Sequence, residues 1–258
     1  MNEHDTQESK ALAFAAEVGH LMLENGAEIS RVEETMERIA TCFGVDSKDF
    51  FVLSNGIFTT GRSYAKVLFI PFKGTQLQKV VEANRLSRDV AAGKLSLDQA
   101  QERLEEIRNM KGEKPAIQIL ASAVGSGCFC AIFGGSLMDC SAAFVIGMLL
   151  WAFVILAGRK NISKIFSNIA GAAIVTMLCI LFCGIGFGHS ISHVLVGSLI
   201  PLVPGVPFTN GIKDLANEDY IAGTTRLLDA LLVFFCIAMG VSLVLITYSH
   251  ITGGMISL

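Results

Sequence analysis

The residues best suited to chemistry lie in one short stretch of the chain, 197–220, which begins apolar and ends polar. Its middle is rich in proline, and polar side chains follow at once: Pro201, Pro204, Gly205, Pro207, Thr209, Asn210, Lys213 and Asp214. A proline inside a helix removes a backbone donor and clashes with the preceding turn. The sequence therefore predicts that the backbone is bent or unwound from 201 to 208.

A break inside an apolar segment predicts a place where a small polar solute binds. Unpaired backbone groups are costly in hydrocarbon, so irregular backbone is tolerated only inside protein or beside a water-filled cavity. Broken helices also build the substrate sites of many transporters. The candidate substrate-path residues are Pro204, Gly205, Pro207, Thr209, Asn210 and Asp214.

The same break has a structural alternative. A helix that begins again near Phe208 would direct its amide end at the break and favour an anionic group there. Thr209 is equally suited to be the N-cap of that helix, in which case the prolines mark only a kink. The two interpretations differ in what Thr209 contacts.

Ionisable residues beside the apolar segments are a second group of candidates, because charges at membrane depth are costly and usually mark pathways or pairs. Asp214, Arg226 and Asp229 lie at the inner ends of predicted spans. One interpretation gives Arg226 and Asp229 a role in coupling or transport. The other is a plain ion pair between them, three residues apart on one helix.

Two histidines and one further aspartate complete the candidates. His189 and His193 are four residues apart at the outer start of the fourth predicted span, a spacing that places both on one helix face. Imidazole titrates near neutral pH, so a proton relay is one interpretation and ordinary interfacial residues are the other. Asp139, at the mouth of the second predicted span, is either a coupling carboxylate or a solvated helix N-cap.

Membrane helices must position these residues. Hydrophobic residues make up 52% of the chain, and residues 116–258 hold only 5 of its 20 Lys and Arg and 5 of its 23 Asp and Glu. A span needs about 20 mostly apolar residues. Five such runs are found, the fourth being the one broken by prolines: 116–135, 139–158, 166–187, 190–212 and 227–249. Basic residues occupy alternate loops, which predicts a cytoplasmic amino terminus and an external carboxyl terminus.

The predicted organisation is an α-helical integral membrane protein with an amino-terminal α+β cytosolic domain, divided into residues 1–114 and residues 115–258. In the first domain, helical and strand periodicities predict four helices and two paired strands. The helices are 12–25, 28–43, 75–92 and 96–110, and the strands are 50–60 and 64–71. Asn25-Gly26 is typical of a left-handed helix stop, and Ser96 with Gln99 of a capping box. Ser54–Gly56 is interpreted as a strand bulge or a small polar site.

Residues suited to catalysis are scarce in the first domain. It holds two histidines, His4 and His20, and one cysteine, Cys42, so a nucleophile and its base have no evident pairing. Gly93-Lys94 lacks the upstream glycine and following hydroxyl of a phosphate-binding loop. The seven cysteines of the chain contain no Cys-x-x-Cys pair and are interpreted as packing residues. The sequence predicts no enzyme activity, no metal, no cofactor and no nucleic-acid partner.

Three runs of residues carry a family resemblance. The run LIPLVPGVPFTNGIKDL at 199–215, followed by Arg226-x-x-Asp229, resembles the signature of the threonine/serine exporter family. LMLENGAEISRVEET at 21–35 and LSLDQAQERLEEI at 95–107 resemble the cytoplasmic domain of the same family. The likeness covers nearly the whole chain.

The resemblance implies a subunit of an inner-membrane secondary exporter of small hydrophilic metabolites, either threonine and serine or C4 dicarboxylates such as succinate. Long family members carry two membrane halves, so this chain resembles the larger component of a split pair. Its expected partners are a small integral-membrane subunit or further copies of itself, the lipid bilayer and a small-molecule substrate. The alternative function is a membrane-anchored ligand sensor or assembly factor.

Overall fold

The computed structural model describes residues 3–45, 50–61, 64–71 and 74–253, which fold mainly as helices with one small sheet. In chain order the elements are α1 (Glu3–Glu24), α2 (Ile29–Cys42), β1 (Phe50–Leu53), β2 (Gly56–Gly61), β3 (Tyr64–Phe69), α3 (Leu77–Ala91), α4 (Leu97–Arg108), α5 (Pro115–Ile132), α6 (Leu137–Arg159), α7 (Lys164–Gly184), α8 (Ile191–Leu199), α9 (Gly205–Ala216) and α10 (Tyr220–Thr252). A short 3-10 turn, Ile200–Leu202, continues α8.

These elements form two compact units. The amino-terminal unit comprises the chain up to Gly112 together with Gly205–Asp229. The bundle unit comprises Glu113–Pro204 together with the chain from Ala230 onward. Residues 205–229, which the sequence assigned to the transmembrane domain, thus pack with the amino-terminal residues, and Ala222 belongs to their hydrophobic core.

The first two helices of the amino-terminal unit form where the periodicity predicts. Gly26, just after α1, has a φ of +87°, and the Ala27 amide donates to the Met22 carbonyl at 3.0 Å, so the left-handed stop is confirmed. The two helices cross at Gly19, where an added Cβ would lie 2.4 Å from Met36 Sδ. The apolar face of α2 is buried in the core: Ile29, Val32, Met36, Ile39 and Ala40.

The start of α4 follows its sequence signal. Ser96 Oγ accepts from the Gln99 amide at 3.3 Å, and Gln99 Oε1 accepts from the Ser96 amide at 3.0 Å. The predicted capping box is confirmed, and it satisfies two backbone donors that the helix itself leaves unpaired.

The sheet corrects the sequence prediction at 50–60. The chain does not run as one strand there but reverses at Ser54 and Asn55, so three antiparallel strands form in the order β1-β2-β3. Ser54 and Asn55 therefore form a hairpin connection that leads into β2 at Gly56, and the predicted bulge is wrong, because Ser, Asn and Gly together favour a tight turn. Val52 and Ile57 pair on the buried face, whereas Phe51 and Phe58 pair on the exposed face.

The bundle unit packs its helices closely through small residues. A Cβ added at Gly147 of α6 would lie 2.2 Å from Ser126 Oγ of α5. A Cβ added at Gly197 of α8 would lie 2.7 Å from the Cβ of Cys130, also on α5. Such contacts hold apolar helices together where the hydrophobic effect between them is weak.

The chain contains several helices that can cross a membrane. Within the described residues, four are long and apolar enough, namely α5, α6, α7 and α10. The number rises to five if Ile191–Leu202 and Gly205–Ala216, a pair bent by 67°, count as one span. α10 begins at Tyr220, earlier than the predicted start at 227. The protein is thus a multi-pass membrane protein with four or five spans.

Candidate functional site

The break predicted in the proline-rich stretch is present but shorter than the sequence suggests. The helical backbone continues through the 3-10 turn to Leu202, and α9 begins at Gly205. The prediction that the backbone is bent or unwound between 201 and 208 is therefore confirmed as a bend of 67°, with only Val203 and Pro204 outside helical backbone. Pro207 lies in the first turn of α9, where its missing N–H is not needed, so the chain becomes helical before the last proline.

Thr209 is not a helix cap. It is the fifth residue of α9, so the alternative of an N-cap at Thr209 is wrong. The predicted restart of the helix is confirmed, and it begins at Gly205, three residues before Phe208. The side chain of Thr209 is exposed and lines a cavity.

α9 is held against the loop that joins α1 to α2. Asn210 is nine-tenths buried, and its Nδ2 donates to the Gly26 carbonyl at 3.0 Å. Lys213 Nζ lies 2.7 Å from Glu28 Oε1. The left-handed turn at Gly26 exposes the carbonyl that accepts from Asn210. The end of α1 thus provides a contact that holds α9.

Asp214 and Arg226 form a buried ion pair within the amino-terminal unit. Asp214 is fully buried, and its Oδ2 lies 2.9 Å from Arg226 Nη1. The contact between Asp214 and Arg226 is an ion pair and not an aligned hydrogen bond. Arg226 Nη2 also donates to the Ala27 carbonyl at 2.8 Å. This pair joins α9, α10 and the α1–α2 loop.

The ion pair predicted between Arg226 and Asp229 is wrong. Arg226 points to Asp214 on the preceding helix, and Asp229 is exposed. A spacing of three residues permits a pair on one helix, but a fully buried carboxylate nearby competes more strongly for the guanidinium because it has no solvent.

A cavity of about 400 Å³ lies at the amino end of α9, and all of its lining belongs to the amino-terminal unit. The lining residues come from the α1–α2 loop, α2, α3 and α9: Gly26, Ala27, Glu28, Arg31, Leu77, Val80, Val81, Asn84, Gly205, Val206, Thr209 and Asn210. We call it the α9 cavity. It brings together three of the predicted substrate-path residues, Gly205, Thr209 and Asn210.

The other predicted substrate-path residues do not line this cavity. Pro204 precedes α9 and belongs to the bundle unit, and Pro207 faces elsewhere in the first turn of α9. Asp214 lies one turn beyond Asn210 and is occupied by Arg226. These three residues shape and anchor the helix whose amino end borders the cavity.

The two histidines are not on one helix face. α8 begins at Ile191, so His193 lies on it, whereas His189 lies in the preceding loop. The backbone amide of His189 donates to Asp139 Oδ1 at 2.6 Å. Ser190 is the N-cap of α8 and its hydroxyl accepts from the His193 amide at 3.4 Å, so the helix begins after His189.

Asp139 is buried and fully hydrogen-bonded, which the sequence did not predict. Its Oδ1 also accepts from the Ser190 amide at 3.0 Å, and its Oδ2 accepts from the Ser136 amide at 2.9 Å and hydroxyl at 2.7 Å. The helix cap is Ser136, and Asp139 is the acidic partner of a capping box, so the prediction of a solvated N-cap is wrong. The spacing Ser-x-x-Asp before an apolar run was a signal that could have identified this role.

Sequence reasoning missed the cavity residues of the amino-terminal half, Glu28, Arg31 and Asn84. No local pattern signals them, because Gly26 and Asn210 meet across 184 residues of sequence. Among the described residues, no group of three or more His, Cys, Asp or Glu side chains could hold a metal ion.

Comparisons with known proteins bear on the whole chain. A family model described as a putative threonine/serine exporter matches residues 13–248. The chain is 22% identical over 254 residues to a threonine/serine exporter of Corynebacterium glutamicum, an alignment that covers 92% of this chain and 51% of that protein. It is 23% identical over 242 residues to pheromone-regulated membrane protein 10 of Debaryomyces hansenii, covering 90% of this chain and 24% of that protein.

A third relative has nearly the same length. The chain is 21% identical over 246 residues to a probable succinate transporter subunit of Escherichia coli, covering 93% of this chain and 96% of that protein. By contrast, the chain spans about half or less of the length of the first two relatives. No solved structure matches the chain.

Proposed function

Because this chain belongs to the putative threonine/serine exporter family, we propose that it is a subunit of a secondary exporter of small hydrophilic metabolites. The expected substrates are amino acids of the threonine and serine type or C4 dicarboxylates such as succinate. The names of the relatives from Corynebacterium glutamicum and Escherichia coli support these two substrate classes.

One observation supports a location for the substrate path in this chain. Three residues chosen from the sequence as the substrate path, Gly205, Thr209 and Asn210, line a single cavity of about 400 Å³ directly after the broken helix. Ligand sites are commonly cavities of roughly 300–1,000 Å³ with apolar walls and a few converging polar groups. We therefore assign the α9 cavity as part of the substrate path.

The remaining candidates are given supporting roles. Pro204 and Pro207 set where α9 begins, and Asp214 with Arg226 fixes its distance from the α1–α2 loop, so we propose that these four residues position the cavity and do not contact substrate. His189, His193 and Asp229 are proposed for proton coupling, since a secondary exporter needs an ion gradient as its driving force.

The assembly and its place in the cell follow from the same premise. We propose an inner-membrane complex with a small integral-membrane partner subunit or with further copies of this chain, with the amino terminus cytoplasmic and the carboxyl terminus outside. The Escherichia coli relative, which is described as a subunit, supports an assembly of more than one chain.

The test is transport in sealed vesicles that contain this chain with and without a partner subunit. Labelled threonine, serine and succinate are loaded and their efflux is followed. Thr209→Val removes the hydroxyl that lines the cavity, and Thr224→Val is the matched control because Thr224 is exposed and does not line the cavity. Slower efflux in Thr209→Val alone is expected, and equal efflux in the two variants would contradict the assignment of the cavity.

The second candidate function, a membrane-anchored ligand sensor, is favoured by one observation. The α9 cavity is lined only by residues of the amino-terminal unit, as expected of a binding domain that reports to the membrane helices. Under this function, ligand binding persists while vesicles containing this chain and its partner show no efflux of any of the three solutes.

A further inference from the structure

The charges that line the α9 cavity do not balance. Two ionised side chains reach it, Glu28 and Arg31. Glu28 is neutralised by Lys213, whose Nζ lies 2.7 Å away. Arg31 is exposed and forms no ion pair among the described residues. The cavity therefore carries one uncompensated positive charge.

The neutral polar groups of the cavity add donors near that charge. Asn84 Oδ1 accepts from Arg38 Nη1 at 3.1 Å, which leaves the Asn84 Nδ2 group available as a donor. The Thr209 hydroxyl has no hydrogen-bond partner among the described side chains. The first turn of α9, at Gly205 and Val206, adds backbone amides that an α-helix leaves unpaired.

The hydrogen-bond acceptors and the apolar wall of the cavity further define the ligand that would fit. Asn210 Nδ2 is engaged by the Gly26 carbonyl, so the side-chain oxygen is the part of Asn210 available to an amino or hydroxyl group. Leu77, Val80 and Val81 of α3 form an aliphatic wall. A ligand that satisfies these surroundings is a compact aliphatic molecule with at least one carboxylate and a second polar group.

We propose that Arg31 binds the carboxylate of a small aliphatic metabolite in the α9 cavity, with Asn84 and Thr209 as neighbouring donors. This inference rests on the proposed function for its ligand class, because amino acids and C4 dicarboxylates share the carboxylate. It assigns the recognition of that carboxylate to α2 of the amino-terminal unit and not to the proline-rich segment. An arginine suits the task because its planar guanidinium forms two parallel hydrogen bonds with a carboxylate.

The experiment measures equilibrium binding of labelled L-threonine, L-serine and succinate to the purified full-length protein in lipid nanodiscs. Arg31→Gln should weaken binding of the recognised probe by about 10-fold or more, as expected for the loss of a charge-assisted hydrogen bond. Arg31→Lys should recover part of the affinity, because lysine restores the positive charge but cannot form the two parallel hydrogen bonds of a guanidinium. Arg88→Gln is the matched control, because Arg88 is an exposed arginine of α3 that does not line the cavity.

Carboxylate recognition is tested separately with analogues. Threoninol and succinamide lack a carboxylate. Their affinity for the unchanged protein should be no higher than the affinity of threonine and succinate for the Arg31→Gln variant. The three labelled probes distinguish an amino acid from a dicarboxylate. Binding to Arg31→Gln within twofold of the unchanged protein, equal binding of the carboxylate-free analogues, or no binding of any probe would each overturn the proposal.

The outcome is separable from that of the proposed function. If binding depends on Arg31 while vesicles show no efflux, the site stands and the exporter role fails. If the unchanged protein exports a probe, and the Arg31→Gln variant binds and exports that probe as well as the unchanged protein does, the exporter role stands and the assignment of Arg31 fails. Size-exclusion profiles of the variants establish that each folds, which is expected because Arg31 is exposed.

Discussion

Two aspartates of the apolar half of the chain, Asp139 and Asp214, are buried to a similar degree but are satisfied in different ways. Asp139 is 2% exposed and accepts three backbone amides and one hydroxyl. Asp214 is 0% exposed and is compensated by a guanidinium at 2.9 Å. The first carboxylate holds a loop to the start of its helix. The second holds two helices together through a cation.

The two carboxylates differ in how far along the sequence their partners lie. Asp139 draws half of its hydrogen bonds from Ser136, three residues earlier, and its remaining partners are fixed backbone dipoles. Asp214 depends on the side chain of Arg226, twelve residues later on another helix. Removing one member of a buried pair leaves the other charge without solvent or counterion, so the second arrangement is the more fragile.

The largest effect is expected from breaking the Asp214–Arg226 pair. Asp214→Asn or Arg226→Gln alone should lower the free energy of unfolding by about 3–5 kcal/mol, because each strands a buried charge. In detergent, that corresponds to a fall in Tm on the order of 10 °C, measured by circular dichroism.

A double-mutant cycle and a control isolate the pair. The double variant Asp214→Asn/Arg226→Gln should lose less than the two single variants added together, because it leaves no charge unpaired. Asp229→Asn, an exposed aspartate on α10, should change Tm little. Additive losses in the cycle would mean that the two side chains stabilise the protein independently.

The next effect is expected at Asp139. Asp139→Ala removes an acceptor from three amides and a hydroxyl and should cost about 2–4 kcal/mol, less than the broken ion pair because no opposite charge is left behind. Asp139→Asn should not restore the loss, since its amino group would face backbone donors. Trp151, the single tryptophan, lies on α6 with Asp139, so its fluorescence reports the unfolding of that helix.

Ser136→Ala is the matched comparison for Asp139. It removes only the cap hydroxyl and should cost about 1 kcal/mol. If Ser136→Ala and Asp139→Ala had equal effects on the Trp151 transition, the contacts of Asp139 with His189 and Ser190 would contribute nothing to stability.

This contrast also explains what the sequence can and cannot predict. Features set by near neighbours were predicted, such as the stop at Gly26 and the capping box at Ser96 and Gln99. The position of Asp139 in a similar box was missed, although its signal was local. Contacts such as Asn210 with Gly26 depend on how distant elements pack, and no spacing rule encodes them.

The errors at the proline-rich stretch and in the sheet have local physical causes. Proline was expected to bend or unwind the backbone over 201–208, but the break is confined to Val203 and Pro204, since Pro207 is tolerated in a first turn. The apolar run at 50–60 was interpreted as one strand because its turn residues are flanked by aromatic and β-branched ones on both sides. In each case the residue types were interpreted correctly, but where the prolines or the turn residues fall within the element was not.

A third carboxyl, Glu33 on α2, extends the comparison to a group that forms no ion pair within the part of the chain that the structure describes. Burial raises the pKa of Glu33, the charge of Asp219 raises it further, and a backbone hydrogen bond at Val52 opposes the shift. Because the folded pKa exceeds the unfolded one, the folded state favours the protonated form. The stability from this group is present below the unfolded pKa and is lost as pH rises through the folded pKa.

Glu33→Gln tests that sign. The variant should match the unchanged protein at low pH and become the more stable of the two as pH rises through the raised pKa of Glu33. Tm measured as a function of pH for both proteins gives the difference directly, with Glu102→Gln, an exposed glutamate of α4, as the control. If the unchanged protein instead became the more stable of the two as pH rises, the Glu33 carboxylate would be stabilised by its surroundings.

The smallest effect is expected from the exposed ion pair between Lys213 and Glu28. Its atoms lie 2.7 Å apart, closer than those of Asp214 and Arg226, yet the Lys213 side chain is 53% exposed. Water screens such a pair and each partner can be solvated alone, so Lys213→Gln should change the free energy of unfolding by less than about 1 kcal/mol. The change should shrink further in high salt, whereas the loss from Asp214→Asn should not. Tm measured for both variants at low and high salt decides the matter, and an equal salt response would show that burial does not separate the two pairs.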